Sequence, residues 1–488
     1  MNNFNLLAVG TDSYKQSHHS LYPPGTEKVY SYCESRVGAR FPASLFFGLQ
    51  YILKKYLVGQ VVTQAKIDEA AELCAAHFGR EDVFNREGWE YILKKHKGYL
   101  PVVIKAVPEG EIIPTGNVLF TIENTDWQVP WLTNFLETVL MQVWSPITVA
   151  TGSHEVRKII KKYLDLTGDP AGLDFKLHDF GYRGVSSVET AALAGAAHLA
   201  TGAMGTDTMA ALSLLKNYYH EPMAGFSIPA TEHSIMTARG PEGEADIVRQ
   251  ILTTHPEGLV AMVIDSFDTI GFIDQVIAKN RDIYDMIRSR NGTVVFRPDS
   301  GTLPDIDIQV FQALAEEFGT EVNSKGYHVL PPYVRMIQGD GIKWTRNSWN
   351  TSDLTEKLSD MLAERKPRHT VEQILESFRR NTISADNIAF GSGGGLLQDF
   401  DRDTQRFAIK CSWMQVNKEG REIFKKPATD STKNSKRGRL SLVRREGQVL
   451  TVQGQDNANG NMLQTVFRNG EIIRDWTLAE IRERVSVS

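Results

Sequence analysis

Five short apolar runs in this chain each end in side chains or backbone suited to binding and catalysis. Thr293-Val-Val-Phe runs into Arg297, Asp299, Ser300 and Gly301, and Tyr333-Val-Arg-Met-Ile runs into Gln338-Gly-Asp-Gly341. Gly258-Leu-Val-Ala-Met-Val-Ile closes on Asp265 and Ser266, Phe175-Lys-Leu-His on Asp179-Phe-Gly181, and Asn387-Ile-Ala-Phe on Gly391-Ser-Gly-Gly-Gly395. Carboxylates beside flexible backbone suit ribose hydroxyls, which donate hydrogen bonds, or a Mg²⁺ ion, which takes few direct carboxylates. Phosphate oxygens need donors instead. Successive glycines let backbone N–H groups close on an anion, and a helix opening at Leu396 would add its dipole. Arg402, Lys410 and the stretch 425–445, which holds eight Lys/Arg against the single acid Asp430, supply cations. Acids for a sugar, cations for phosphates and a glycine nest together describe a phosphorylated ribose.

Other chemistries fit less well. The glycine run is not a Walker A loop, because no Lys-Ser or Lys-Thr follows it, and it is not a GxGxxG fingerprint. Glu232 and His233 follow Pro229 in Gly225-Phe-Ser-Ile-Pro-Ala-Thr-Glu-His-Ser234, where they can open a helix at a strand end. Taken alone, that histidine reads as structural, and no His-Glu-x-x-His supports zinc. The basic stretch has no aromatic residue for stacking, so nucleic acid is not an expected partner. A net charge of −5 gives no global attraction to nucleic acid or to an anionic membrane. There is no run of about 20 apolar residues to span a bilayer. Met1-Asn-Asn-Phe-Asn lacks the basic and apolar regions of a signal peptide. Cys33, Cys74 and Cys411 show no paired spacing, which fits a reducing compartment; the expected location is cytoplasmic.

The elements that must position these residues follow from periodicity. The runs starting near 259, 293 and 333 recur at about one βα unit. Segments 270–290 and 305–318 between them have apolar residues at helical spacing. βα units whose polar ends converge on one face point to an α/β barrel, with a doubly wound open sheet as the alternative. Residues 1–173 mix short elements. We expect a strand ending in a polar turn at 8–15, a buried helix at 44–57 and a helix at 64–77. Strands are expected at 102–107 and 117–122, and a core helix at 131–144. Residues 342–384, rich in charge, read as an exposed helical insertion. A strand at 407–414 and a flexible basic loop at 425–445 complete the chain.

Longer motifs carry a resemblance. Asp12-Ser-Tyr-Lys15, Lys176-Leu-His-Asp-Phe-Gly-Tyr-Arg-Gly184, Gly205-Thr-Asp-Thr208, Pro229-Ala-Thr-Glu-His-Ser234, Arg297-Pro-Asp-Ser-Gly301, Gln338-Gly-Asp-Gly341 and Gly391-Ser-Gly-Gly-Gly395 closely resemble the nicotinamide phosphoribosyltransferase family. The resemblance runs from about residue 6 to 482. It implies an α/β fold, the irregular α/β barrel of type II phosphoribosyltransferases packed against an α+β domain. The implied domains are an N-terminal α+β domain (1–173), the barrel (174–395, with 342–384 inserted) and a C-terminal segment (396–488) packing with the N-terminal domain. It also implies a homodimer with active sites at the interface. The implied reaction, in NAD salvage, joins nicotinamide to 5-phosphoribosyl-1-pyrophosphate (PRPP) with Mg²⁺, giving nicotinamide mononucleotide and pyrophosphate. ATP as a coupled substrate would act through a phosphohistidine.

Carried onto this sequence, the resemblance implies that Phe180 and a partner subunit's Tyr14 sandwich the pyridine ring. Asp207 would accept from the carboxamide NH₂ and Arg297 would contact its carbonyl. Asp299, Gly339 and Asp340 would contact the ribose; Gly393 and Gly394, with Arg402 and Lys410 of a partner, would hold the 5-phosphate. Arg183, Lys425 and Lys433 would meet pyrophosphate or ATP phosphates. His233 becomes the phosphorylated residue, with Glu232 and Asp265 orienting it, so the resemblance overturns its structural reading. The Mg²⁺ ligands stay unassigned. Ala261 and Ala408 stand where the family commonly has serine, and the insertion is longer than in animal relatives. Phosphoribosyltransferases for nicotinate or quinolinate share the implied fold, but a carboxylate at Asp207 would repel both acids. A non-catalytic relative would be expected to lack His233, Arg297 or Asp299, and all three are present.

Overall fold

The computed structural model describes residues 4–345, 368–426 and 434–487. Lys433 and 346–367, the centre of the expected insertion, lie outside the described residues. The chain divides into two compact units. One comprises Gly152–Ser213 and Met223–Asp399, the other Met1–Thr151, Leu214–Pro222 and Phe400–Ser488.

The first of these is the barrel unit. The six strands of its parallel sheet are β1 (Leu177–Asp179), β2 (Gly205–Thr206), β3 (Glu257–Val263), β4 (Asn291–Arg297), β5 (Val334–Gln338) and β6 (Ile388–Ser392). They lie in the order β2-β1-β6-β5-β4-β3, every pairing parallel. Register aligns their C-terminal ends: Val263 sits beside Arg297, Ser392 beside Asp179, and Asp179 beside Thr206. The alternation of side chains along a strand sorts each run into two faces. On β4, Val294 and Phe296 are fully buried on one face, while Thr293, Val295 and Arg297 line an interior cavity. Inside the barrel, Ala261, Val295 and Ile337 pack together, with Phe180, Ile228 and Ala389 against them.

The helix Asp305–Phe318 forms where periodicity predicts it and buries Val310, Phe311, Leu314 and Phe318. The expected helix at 270–290 is interrupted at Asn280, which donates through Nδ2 to the carbonyls of Gln275 and Val276 and separates a π-helical turn, Phe272–Ala278, from Arg281–Ser289. In the expected insertion, Thr370–Arg380 is a helix that buries Val371, Ile374, Leu375 and Phe378. That stripe at helical spacing makes it a core element rather than an exposed cover.

The second unit is built on a seven-stranded antiparallel sheet. Its order is Glu419–Glu422, Phe407–Val416, Thr26–Ser35, Val118–Asn124, Val102–Ala106, Gln464–Arg468, Glu471–Ile472. The strands expected at 102–107, 117–122 and 407–414 are all present, and the helix expected at 64–77 is Gln64–Phe78. Four expectations fail locally. Residues 8–15 are not a strand: Asn5 caps a helical turn, Leu6–Val9, by accepting from the Leu7 amide, and a 3₁₀ segment, Ser13–Ser20, follows. The helix expected at 44–57 starts only at Leu49, because Gly48 at φ +98° breaks the chain after the short strand Ala43–Leu45. The core helix expected at 131–144 is two short helices, Leu132–Phe135 and Glu137–Met141. Within 425–445, Leu440–Arg445 is a strand rather than loop.

Candidate functional site

The barrel encloses a cavity of about 750 Å³ that runs from the starts of the strands (Leu259, Thr293, Arg335) to their ends (Phe180, Asp207, Arg297). Its polar residues at the strand ends are held by one another. Arg297 donates from Nη2 to Asp299 at 3.1 Å and from Nε at 3.3 Å. The same guanidinium lies 5.5 Å from the centre of the Phe180 ring, within cation–π range. Gly339 donates its amide to the Pro298 carbonyl, so the Gly339–Asp340 turn rests on the Arg297–Asp299 turn. A Cβ at Gly339 would run into Asp299 Oδ1 and Arg297 Nε. The glycine there makes room for the ion pair.

Phe180 depends on glycine in the same way. It follows β1, and its amide donates to the Ser392 carbonyl at 2.9 Å. A Cβ on Gly391 would overlap the Phe180 ring edge, so the bare backbone is the ring's seat. The Gly393–Gly394 segment lies beside the Arg183 turn, Tyr182–Gly184; a Cβ on Gly184 would sit 3.0 Å from Gly394 Cα. The helix that follows, Gly394–Leu397, is a single turn, so the dipole expected there is small.

Asp179 ties the ring to Asp207. Its fully buried carboxylate accepts from the Gly181 amide at 2.8 Å and the Thr206 hydroxyl at 3.1 Å. Its carbonyl accepts from the Asp207 amide at 2.9 Å. Burial pushes the Asp179 carboxyl above its ordinary range, against the pull of the Gly181 amide. The Asp207 side chain, open to the cavity, accepts from Ser227 Oγ at 2.5 Å.

His233 opens a helical turn, His233–Met236, with Glu232 at its N-cap position. Its Nε2 lies 3.1 Å from Asp265 Oδ1, whose side chain is 4% exposed while the imidazole is 48% exposed. The other ring nitrogen is therefore the one left for an external group. Glu232 accepts from the Ser234 hydroxyl.

Thus Phe180, Arg183, Asp207, Glu232, His233, Asp265, Arg297, Asp299, Gly339, Asp340, Gly393 and Gly394 all sit on the barrel unit, at or just beyond strand ends. Tyr14, Arg402, Lys410 and Lys425 belong to the antiparallel-sheet unit. There Tyr14 is 59% exposed, and Arg402 pairs with its neighbour Asp403 at 3.2 Å. Lys410, on the strand Phe407–Val416, has its ammonium pKa lowered by burial; Glu137 opposes this, and Arg36, Lys15 and Lys425 add to it. Lys425 and Ser435 bond to each other's amides across the neck of the basic loop, with Lys425 N to Ser435 Oγ at 2.8 Å and Ser435 N to Lys425 O at 3.0 Å.

Sequence reasoning missed Ser227, the bracing role of Asp179 and the steric role of Gly391. The motif containing Asp179 was visible, but nothing in it marked the carboxylate as turned inward. No group of three or more His, Cys, Asp or Glu among the described residues could hold a metal alone.

Comparison with known proteins decides the family. Residues 5–104 match the N-terminal domain of nicotinamide phosphoribosyltransferase, and 175–360 with 359–471 match the nicotinate phosphoribosyltransferase (NAPRTase) family. The chain is 44% identical over 487 residues to a nicotinamide phosphoribosyltransferase of Xanthomonas campestris pv. campestris (strain 8004), covering 98% of this chain and 97% of that one. The chain belongs to the nicotinamide phosphoribosyltransferase family. A second member, from Acinetobacter baylyi, is 33% identical over 97% of this chain and 96% of its own. Among solved structures, nicotinate-nucleotide pyrophosphorylase from Pyrococcus furiosus matches with a TM-score of 0.57 at 16% identity, covering 100% of this chain and 96% of that one. Human nicotinic acid phosphoribosyltransferase gives 0.57 at 15% identity, over 98% and 93%. At that identity they show the fold alone: a parallel barrel sheet with an antiparallel sheet unit, the type II phosphoribosyltransferase architecture.

Proposed function

We infer that the chain transfers the 5-phosphoribosyl group of PRPP to the ring nitrogen of nicotinamide, releasing pyrophosphate. The observation that carries this is the grouping of Phe180, Asp207 and Arg297 around one cavity. A flat ring, a hydrogen-bond acceptor and a hydrogen-bond donor match the ring, NH₂ and carbonyl of an aromatic amide. Phe180 stacks the ring, Asp207 accepts from the NH₂ and Arg297 donates to the carbonyl. Ala261 offers no hydroxyl here; it belongs to the apolar packing with Val295 and Ile337.

The C1–O bond to pyrophosphate breaks ahead of attack, so positive charge grows on the ribose. Asp299 and Asp340 stabilise that charge electrostatically and accept from the ribose hydroxyls. Asp299 stays fixed for this role because Arg297 holds it. The amides of Gly393 and Gly394 serve the 5-phosphate, with Arg402 and Lys410 of a second copy; Arg183 and Lys425, and Lys433, serve the pyrophosphate and ATP phosphates. Asp299 or Asp340 would hold a Mg²⁺ together with the substrate's phosphate oxygens, since the ion takes few direct carboxylates. When bound, Mg²⁺ neutralises charge on the departing pyrophosphate.

His233 takes the ATP γ-phosphoryl on Nδ1, the P–O bond to ADP breaking as the N–P bond forms, while Asp265 holds Nε2 and balances the imidazolium charge. Glu232, tied to Ser234, flanks it. A homodimer with shared sites is supported by the exposure of Tyr14, Leu21 and Val37, at 59%, 71% and 68%, which a second copy would cover. No described helix is long and apolar enough to cross a membrane, and the three cysteines are free, which supports a cytoplasmic enzyme.

The test is mononucleotide formation from PRPP and Mg²⁺ with nicotinamide or nicotinate, each with and without ATP. Product from nicotinamide, increased by ATP in the wild type but not in His233→Ala, is expected. Product from nicotinate alone would overturn the assignment of Asp207.

A further inference from the structure

Among the described residues, no regular strand closes the barrel sheet. Between β2 and β3 the gap is spanned by residues 226–230, which make one parallel bridge on each side, Gly205 with Phe226 and Ala230 with Ala261. Phe226 donates to the Met204 carbonyl at 2.7 Å and accepts from Thr206 at 3.0 Å. Further along, Ala261 donates to the Pro229 carbonyl at 2.9 Å and Thr231 donates to the Ala261 carbonyl at 3.1 Å. This closing stave is thus pinned at both ends, and Ser227 lies between the pins with its side chain lining the cavity. Its hydroxyl donates to Asp207 Oδ1 at 2.5 Å.

We infer that Ser227 is a specificity-determining positioning residue, which fixes the Asp207 carboxylate so that the cavity selects an aromatic amide over the corresponding acid. The inference rests on the nicotinamide reading and deepens it. Asp207 is held twice: its backbone by Asp179, through the amide bond at 2.9 Å, and its carboxylate by Ser227. With Oδ1 taken by the serine hydroxyl, Oδ2 is left as the oxygen for a ligand. Having given its only proton to Asp207, the Ser227 oxygen is itself an acceptor. The pair therefore presents acceptors and no donors. An NH₂ group brings two N–H donors to that surface. A carboxylate brings none, and its charge opposes Asp207. Without Ser227 the Asp207 side chain is free to turn toward water, which weakens both the attraction for the amide and the rejection of the acid.

The experiment compares wild type, Ser227→Ala and Ser227→Thr in steady-state assays with nicotinamide and with nicotinate at saturating PRPP. Loss of a hydrogen bond to a charged group predicts about a tenfold rise in KM for nicotinamide in Ser227→Ala. A group acting on binding and transition state alike leaves kcat within about twofold. The ratio of kcat/KM for nicotinamide over nicotinate falls with it, and Ser227→Thr, which keeps the hydroxyl, restores both. An unchanged ratio in Ser227→Ala, or a failure of threonine to restore it, overturns the role of Ser227. A wild type that prefers nicotinate instead sinks the underlying reading, whatever the variants do.

Discussion

The two ends of the barrel cavity use the same residue types in opposite ways. At the strand ends, polar side chains are held by other side chains: Arg297 by Asp299, Asp207 by Ser227, His233 by Asp265. At the strand starts, cations are held by backbone. Lys176 donates to the carbonyls of Asp386 at 2.8 Å and Ile388 at 3.1 Å. Arg335 donates from Nη1 to the carbonyls of Leu330, Pro331 and Val334 at 2.9, 2.7 and 2.7 Å. Burial lowers the Lys176 ammonium to about 8, with the Asp386 carboxylate opposing that shift. A cation spent on carbonyls closes loops that would otherwise leave acceptors unpaired. A charge held by one side chain keeps directions open for a ligand. The first arrangement serves the fold, the second the chemistry.

Two substitutions separate them. Arg297→Ala should reduce kcat/KM for mononucleotide formation by about 100-fold or more, since a polar contact to the substrate and the brace of Asp299 go together. Its Tm should change little. Arg335→Met should do the reverse. Three carbonyls lose a charged donor, at a cost of about 2–4 kcal/mol, seen as a lower denaturation midpoint with kcat/KM nearly unchanged. If Arg335→Met proves as inactive as Arg297→Ala while remaining folded, the division between the two ends fails.

Glycines draw the same contrast. Gly391→Ala pushes a methyl group into the seat of the Phe180 ring, whereas Gly172→Ala at the other end meets only Lys176 Cε, at 3.7 Å, ordinary contact. Gly391→Ala should raise KM for nicotinamide by about tenfold, the loss of a stacking surface. Gly172→Ala should match wild type in the same assay. Equal behaviour of the two variants would mean that the Phe180 seat is not what orients the ring.

How much of this was legible in the sequence depends on how local each cause is. The strand ends could be read because a β-branched run followed by Asp or Gly is a contiguous pattern; β3 to β6 and the residues they carry follow from it. The turns that bring Arg297 to Asp299 are two residues long and equally local. Ser227 and the inward turn of Asp179 could not be read. The stave at 226–230 has single bridges and no alternation, so Gly-Phe-Ser-Ile-Pro looks like loop, and its contact with Asp207 spans 20 positions. The face to which Asp179 turns is set by Thr206 on a neighbouring strand. At the N-terminus, Ala8-Val-Gly was too short an apolar run to tell a strand from a helical turn. What decides it is the Asn5 side chain accepting from the Leu7 amide.

The smallest expected effect concerns a carboxylate that neither end uses. Asp307, in the first turn of the helix Asp305–Phe318, is fully buried, and neither oxygen has a hydrogen-bond partner among the described residues. Burial alone raises its carboxyl to about 8. The unfolded chain releases that proton near pH 4, the ordinary value for aspartate. Between about pH 4 and 8 the folded state therefore binds the proton and the unfolded state does not, so this group makes stability fall as pH rises through that window. Asp307→Asn carries a neutral side chain of the same shape throughout. The variant should equal wild type in Tm near pH 4–5 and exceed it by a few degrees near pH 8. Activity per folded molecule should be unchanged, since Asp307 lies outside the cavity lining. A Tm difference that stays constant with pH would show that Asp307 has a partner that stabilises its charge. A loss of activity in Asp307→Asn would instead make it a functional acid beyond both ends of the cavity, and the contrast between braced and carbonyl-bound charges would no longer cover the barrel's ionisable groups.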